Sequence, residues 1–313
     1  MTTAGGFWRG LVRQFTGSEQ RVPVAPLPVV MGDVARFTTA PASGLRVTWL
    51  GHSSVLIEID GYRVLVDPVL SQRASPSEWV GPKRFHPAPL GVRELPPLDV
   101  VLHTHDHYDH LDMRVLRAIV AAPAQANVAY VTSLGVGAHL ERWGVPRARI
   151  TELDWTEAAR IGELTLTACP ARHFSGRLFK RDQTLWSSWV IAGPSHRVFH
   201  SGDTGFFDGF TEIGAKYGPF DLTMVKIGAY DELWPDIHLT PEDAVRAHGM
   251  LRGQLLLPIH WGTFNLAFHS WDEPIERLLV AADAAGAQVV TPRPGAWIEP
   301  ATAGTTDHWW RAA

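Results

Sequence analysis

The chain has 313 residues, 45% of them apolar, enough to bury a sizeable core in one large domain or two ordinary ones. Its 28 Lys and Arg against 32 Asp and Glu give a formal charge of -4, which excludes a chain-wide basic surface for nucleic acid and favours small polar or amphipathic substrates. A single cysteine, Cys169, excludes an internal disulfide framework and any Cys-rich zinc or iron–sulfur site, and no stretch approaches the ~20 apolar residues that span a bilayer.

In chain order, residues 1–44 form an irregular arm rich in Pro, Gly and Ala. Within it Phe7, Trp8, Leu11, Val12 and Phe15 have helical spacing around Arg9 and Arg13, which fits a small membrane-surface helix or a terminal helix docked on the body. "LRVTWLG", "SSVLIEIDG" and "YRVLVDPVL" read as a β-meander from Leu45 onward, and the proline-rich stretch 69–97 as a long loop able to cover a site. "LDVVLHTH" is a buried strand that runs into a histidine cluster, followed by the helical pattern "DMRVLRAIVAA". Asp112 is expected to cap that helix. "VAYVTS", "LTLTACPA", "SSWVIAG", "RVFHSGDTG", "LTMVKIG", "QLLLPIHWG" and "AQVVTPRPG" continue the strand series. A helix is signalled by Thr240 as cap, Pro241 in the first turn, and Glu242 and Asp243 at the positive end of the dipole; another starts near Asp272. The expected division is the arm, one α/β domain over 45–300 and a tail over 301–313. The 13 tryptophans fit a Trp-rich core, an aromatic cleft or an interfacial surface.

"HTHDHYDHLD", residues 103–112, gathers four histidines and three aspartates. Imidazole and carboxylate hold zinc and similar ions without thiolates. His105 and His107, two apart, project to one side of extended backbone, and Asp109 and His110 reach a second point after the chain turns. Such spacing can serve two ions ~3.5–4 Å apart, the arrangement in which a shared hydroxide attacks and both cations offset the developing charge. Four ligands do not fill two ions. His173, Asp203 and His260 each follow a strand-like run, where a ligand can project from a strand end.

The order His-x-His-x-Asp-His, then His, then Asp in a Gly-Asp-Thr turn, then His resembles the metallo-β-lactamase superfamily. More narrowly, "WLGHSS", "THDHYDHLD", "GDTGFFDGFTEIGAKYGPFDL", "IGAYD", "HLTPEDAVRAH" and "IHWGTFNLA" are similar to the N-acyl-phosphatidylethanolamine-hydrolysing phospholipase D family, over about residues 45–285. The resemblance implies a four-layer αββα sandwich with metals at one edge. It implies two zinc ions, with iron or manganese as alternatives: His105, His107 and His173 on one, Asp109, His110 and His260 on the other, Asp203 bridging. Asp109 separates the cluster from the related flavodiiron redox proteins, whose acidic pattern differs, and favours hydrolysis by a metal-activated water.

His238 matches a family position near the active site and, with Asp109, is a candidate catalytic residue, protonating a leaving group or holding a phosphate oxygen. Arg172, Arg177, Lys180 and Arg181 surround His173 in sequence and would attract an anionic phosphodiester. Asp67 and Asp106 are expected to orient ligand imidazoles, and His52, His103, His200 and His269 to be structural. The resemblance implies a phosphodiesterase that acts on N-acyl-phosphatidylethanolamine or a similar phospholipid or small phosphodiester, with a homodimer and peripheral membrane contact as further expectations, while the single cysteine is compatible with a reducing cytoplasm and the charge balance with no nucleic-acid partner. Two alternatives use other chemistry or none: a lactonase, β-lactamase-like or other acyl hydrolase on the same metals, and a non-catalytic lipid- or membrane-binding module.

Overall fold

Period-two alternation sets the layers. In β1 (Leu45–Gly51), β2 (Ser54–Ile59) and β3 (Tyr62–Val66), Val47, Trp49, Val55, Ile57, Val64 and Val66 enter one buried cluster, while Leu50, Leu56 and Leu65 enter another. Strands apolar on both faces must be covered on both faces. β4 (Val100–His103), β5 (Ala129–Ser133) and β6 (Ile150–Leu153) extend this sheet in parallel from β3. A second sheet is built from β7 (Ala158–Ile161), β8 (Leu164–Cys169), β11 (Ser188–Ala192), β12 (Arg197–His200), β13 (Phe220–Lys226) and β14 (Gly253–Ile259). Between β8 and β11 lies the small hairpin of β9 (Gly176–Arg177) and β10 (Lys180–Arg181). β15 (Trp297–Ile298) returns to pair with β1.

The computed structural model describes residues 16–178, 180–304 and 307–313. Helices α1 (Met113–Ala121) and α2 (Gly137–Arg142) place Val115, Leu116, Ile119 and Leu140 against the outer face of the first sheet. Helices α3 (Gly209–Tyr217), α4 (Pro241–Met250) and α5 (Glu273–Ala285) bury Phe210, Ile213, Ala244, Val245 and Leu278 with the second sheet. The result is the αββα sandwich. Each such fully buried aliphatic or aromatic side chain contributes roughly 1.5–3 kcal/mol relative to an exposed one, so the layers are held by packing, with the caps adding smaller terms.

The caps form as their residue types predict. Asp112 accepts hydrogen bonds from the N–H groups of Arg114 and Val115, and Thr240 Oγ1 accepts from Asp243 N. The strand expected in "AQVVTPRPG" does not form. Only an isolated bridge joins Val289 to Leu256, because Pro292 and Pro294 lack the N–H a ladder needs. Phe37 of the arm is buried, and Arg36 Nη1 donates to Gly295 O at 2.8 Å. Trp309 and Trp310 pack against Trp261, which stacks on Trp49 at 5.6 Å. The helical pattern at Phe7–Phe15 lies outside the described residues. Among the described residues no helix is long and apolar enough to cross a membrane.

Strand direction positions the site. β3 to β6 are parallel, as are β12 to β14, and β8 shares the latter direction through two antiparallel steps across β11. His105, His173, Asp203 and His260 follow the carboxyl ends of β4, β8, β12 and β14, the end at which open α/β sheets gather functional groups.

Candidate metal centre

β4 ends at His103 and Asp112 caps α1, so the intervening loop must turn sharply. His107 O accepts from both His110 N (3.1 Å) and Leu111 N (2.8 Å), and this turn swings Asp109 and His110 back toward His105. His105 Nε2 and His173 Nε2 approach His107 Nδ1 at 2.9 and 3.2 Å. One imidazole nitrogen has a single lone pair, so these three cannot all be satisfied by one another. Donor atoms around a tetrahedral zinc ~2.1 Å away lie about 3.4 Å apart, close to this spacing.

A second group forms beside the first. Asp109 Oδ2 lies 3.4 Å from His260 Nε2 and 3.6 Å from His110 Nε2. Asp203 stands between the groups: Oδ1 is 3.4 Å from His110 Nε2, and Oδ2 is 3.1 Å from His260 Nε2 and 3.7 Å from His173 Nε2. All seven expected ligand residues are thus brought together, each within a cluster whose donor atoms lie within 4.8 Å of one another.

The chemistry of the donors fits divalent ions. His110 Nε2, His260 Nε2 and Asp203 Oδ1 are buried without a hydrogen-bond partner among the described residues. Orphaned buried donors and acceptors each cost about 1–3 kcal/mol, and these three belong to residue groups whose spacing could hold a cation. Burial, followed by neighbouring imidazoles, holds His105 well below its ordinary pKa, and burial brings His173 down to about 3, so both are neutral, metal-ready nitrogens. Burial opposes charge on Asp109 and Asp203, yet the surrounding histidines hold both carboxylates well below their usual range. Burial also opposes charge on His110, but Asp203 and then Asp109 outweigh it and push it well above 6.5. Two buried carboxylates demand positive charge, and here His110 supplies it as a proton.

Supporting groups fix the rings. His110 Nδ1 donates to Asp67 Oδ2 at 2.7 Å, and Thr104 binds the same carboxylate through N (2.8 Å) and Oγ1 (2.7 Å), so Nε2 of His110 is aimed at the cluster. His173 Nδ1 donates to Ile237 O at 3.0 Å. Asp106, also expected to orient a ligand imidazole, accepts from Gly176 N at 2.7 Å, fixing the β9–β10 hairpin, and its other oxygen lies 3.6 Å from Nε2 of His139, which is not one of the seven ligand residues.

The cluster floors a cavity of about 910 Å³, lined by Phe174, Leu233, Trp234, Pro235, Leu266 and His238. Of the four basic candidates, only Arg181 lines it, with its guanidinium 4.2 Å above the Phe174 ring. Arg172 is exposed and pairs with Asp236 at 2.6 Å. Arg177 is spent on the carbonyls of Asp106 and Leu111 and on the Tyr108 face, and with Lys180 it lines a separate cavity across the hairpin.

Two site residues escaped the sequence reading. His52, expected to be structural, donates from Nε2 to Asp109 Oδ2 at 3.0 Å and lies against the His260 ring at 3.9 Å. Its only sign in the sequence was its place in "WLGHSS"; in the structure it sits in a tight turn at φ +55 after Gly51. Lys226 is fully buried at the end of β13, with Nζ 2.5 Å from His238 Nδ1. A charged residue inside the apolar run "LTMVKIG" was its only sign. His103 is buried with Nδ1 3.9 Å from Asp67 Oδ1, His200 Nε2 donates to Ser53 O at 3.0 Å, and His269 Nε2 accepts from Ala229 N.

A protein-family model described as a beta-lactamase superfamily domain matches residues 62–261. An uncharacterized protein of Mycobacterium tuberculosis is 51% identical over 292 residues, covering 92% of this chain and 77% of that protein. N-acyl-phosphatidylethanolamine-hydrolyzing phospholipase D 1 of Caenorhabditis elegans is 37% identical over 254 residues, 77% of this chain and 71% of that enzyme. Among solved structures, a metallo hydrolase of the archaeon Ignicoccus hospitalis is alike in fold, with a TM-score of 0.61 at 22% identity over 81% of this chain and 97% of its own.

Proposed function

The chain belongs to the metallo-β-lactamase superfamily of metal-dependent hydrolases, and from that premise we propose that it is a binuclear phosphodiesterase of phospholipase D type. Its substrate is N-acyl-phosphatidylethanolamine or a similar phosphodiester. Water adds to phosphorus and the bond to the ethanolamine oxygen breaks, leaving phosphatidic acid and an N-acylethanolamine. The observation that carries this reading is the convergence of seven histidine and aspartate side chains, with unpaired donor atoms, beneath a large cavity walled by Phe174, Leu233, Trp234 and Leu266.

Two divalent cations, zinc by the family resemblance, would lower the pKa of a shared water and offset charge on the reacting phosphate. The residues of the chain do the rest. Asp203 serves both groups of ligands, so one carboxylate ties their spacing together. Asp67 keeps His110 in the tautomer whose Nε2 faces the cluster, and His52 holds the Asp109 carboxylate from behind. The apolar wall accepts acyl chains and excludes water, while Arg181 at the rim draws in an anionic headgroup. Such a substrate would be taken at a bilayer surface.

Purified protein loaded with zinc tests the proposal on vesicles containing N-acyl-phosphatidylethanolamine, on a chromogenic phosphodiester, and on a lactone and a β-lactam. Release of phosphatidic acid that disappears on chelation is the expected result. Turnover of the acyl substrates alone would replace the proposal with acyl hydrolysis. Vesicle binding without any turnover would leave a lipid-binding module.

A further inference from the structure

Two histidines of the group around Asp109 sit on backbone that most side chains avoid. His52 has φ +55 and His260 φ +63, left-handed values that persist only where neighbours enforce them. The two turns meet at one atom. His52 O accepts from His260 N at 3.0 Å and from the indole Nε1 of Trp49 at 2.8 Å. Both donors keep their proton at any ordinary pH, so the direction of each bond is fixed.

Tryptophans flank this joint. Trp49 precedes His52 by three residues and Trp261 follows His260, and their rings stack at 5.6 Å. Trp309 stacks on Trp261 at 5.4 Å, and Trp310 meets the same ring edge-on at 5.4 Å. All four rings are buried. The segment that carries Trp309 and Trp310 is itself anchored: Trp309 Nε1 donates to Thr291 O at 3.1 Å, and Trp310 Nε1 donates to Glu276 Oε1 of α5 at 2.7 Å. Arg311 forks onto the same carboxylate with two bonds of 2.7 Å. Residues 309–311 thus link α5 to the two turns.

We infer that Trp309 and Trp310 are positioning residues: packed on Trp261, they hold the joined turns so that His52 and His260 face Asp109, 3.0 and 3.4 Å away. The stack offers no ligand atom of its own. Indole rings in contact favour particular offsets and tilts, so the stack sets orientation as well as filling space. The inference rests on the hydrolase reading only where it names the cations that the positioned side chains would hold.

A competing arrangement leaves the turns to Thr263, whose Oγ1 accepts from His52 N at 2.7 Å, with Trp309 and Trp310 merely filling the core. Amide hydrogen exchange in the full-length, chelated protein separates the two. Trp309→Leu keeps an apolar side chain and removes the ring and its N–H. Peptides covering residues 49–54 and 258–263 are expected to exchange about tenfold faster than in the wild type, while those covering β4 and β6 stay unchanged. Calorimetric titration with zinc should find one of the two sites weakened about tenfold, the low end for groups that orient ligands, and the other as in the wild type. Glu276→Ala works from the helix surface, where that side chain is 38% exposed, and withdraws the acceptor of Trp310 and Arg311. It should repeat the effect more weakly, and Glu276→Gln, whose amide oxygen still accepts from Trp310, should stay close to the wild type. Unchanged exchange at both turns, equal acceleration in β4 and β6, or equal weakening of both zinc sites would overturn the inference. If Trp309→Leu does not fold, the two Glu276 variants decide by the same exchange readout. If the protein binds no zinc, the hydrolase reading fails while exchange at the two turns still decides the role of Trp309 and Trp310.

Discussion

The two halves of the candidate centre are built from unlike donors. His105, His107 and His173 offer three buried nitrogens, and burial lowers the pKa of each, so this half brings no charge of its own. The other half joins His110 and His260 to the Asp109 carboxylate, with His52 bound to that carboxylate. Asp203 reaches toward both. A dication in the carboxylate half finds a full countercharge at hand, whereas one in the imidazole half depends on a share of Asp203. The difference teaches that the two sites should fill in order, the carboxylate half first, and that Asp203 couples them.

The largest effect should come from breaking that coupling. Asp203→Asn is expected to lower kcat/KM about 1000-fold or more and to leave at most one bound ion, because charge offset and alignment are lost together. Unlinking one half at a time sharpens the contrast: His173→Ala should lose only the more weakly held ion, while Asp109→Asn should lose the tighter one, as metal titration followed by calorimetry would reveal. Asp67→Ala removes no donor atom, yet frees the His110 ring, and should weaken binding in the carboxylate half by about 10–100-fold. His52→Ala should weaken the same half by about tenfold, the lower end of that range, and leave the imidazole half untouched. Equal effects of Asp67→Ala on both halves would contradict the division.

Acidity gives the smallest and most graded test. His110 is raised well above 6.5 against burial by Asp203 and Asp109, so the metal-free protein carries a proton there at neutral pH. A cation entering the carboxylate half must displace it, and affinity in that half should rise by about tenfold per pH unit until the raised pKa is passed. The sign for folding is opposite in the metal-free chain. A raised pKa adds stability that is complete below the ordinary 6.5 and fades as pH climbs through the folded value. Thermal melts of chelated protein should therefore fall as pH rises above neutrality, and melts of the zinc-loaded protein should not follow them.

The residues of the centre differ in how legible they were, whichever half they serve. His105, His107, Asp109 and His110 lie in one turn, where local spacing alone brings donors together, and His173, Asp203 and His260 each follow a recognisable strand. The sandwich was readable for the same reason, since alternation along β1 to β3 is a local property. His52 and Lys226 were not readable, because each is a lone residue whose meaning arises from partners 57 and 12 positions away. The four basic residues near His173 looked equivalent in sequence. Only their directions across the β9–β10 hairpin separate Arg181, which faces the cavity, from Arg177, which ties the hairpin to the histidine loop. In "AQVVTPRPG" the apolar run outweighed two prolines that deny a ladder its donors.

The most direct test of the central claim is the metal content of the purified protein, measured by mass spectrometry for the wild type and Asp203→Asn. Two divalent cations per wild-type chain, falling to one or none in the variant, is the predicted result. A wild type with no bound cation after zinc loading, or a variant that keeps the same two ions, would contradict a centre in which Asp203 joins the two halves.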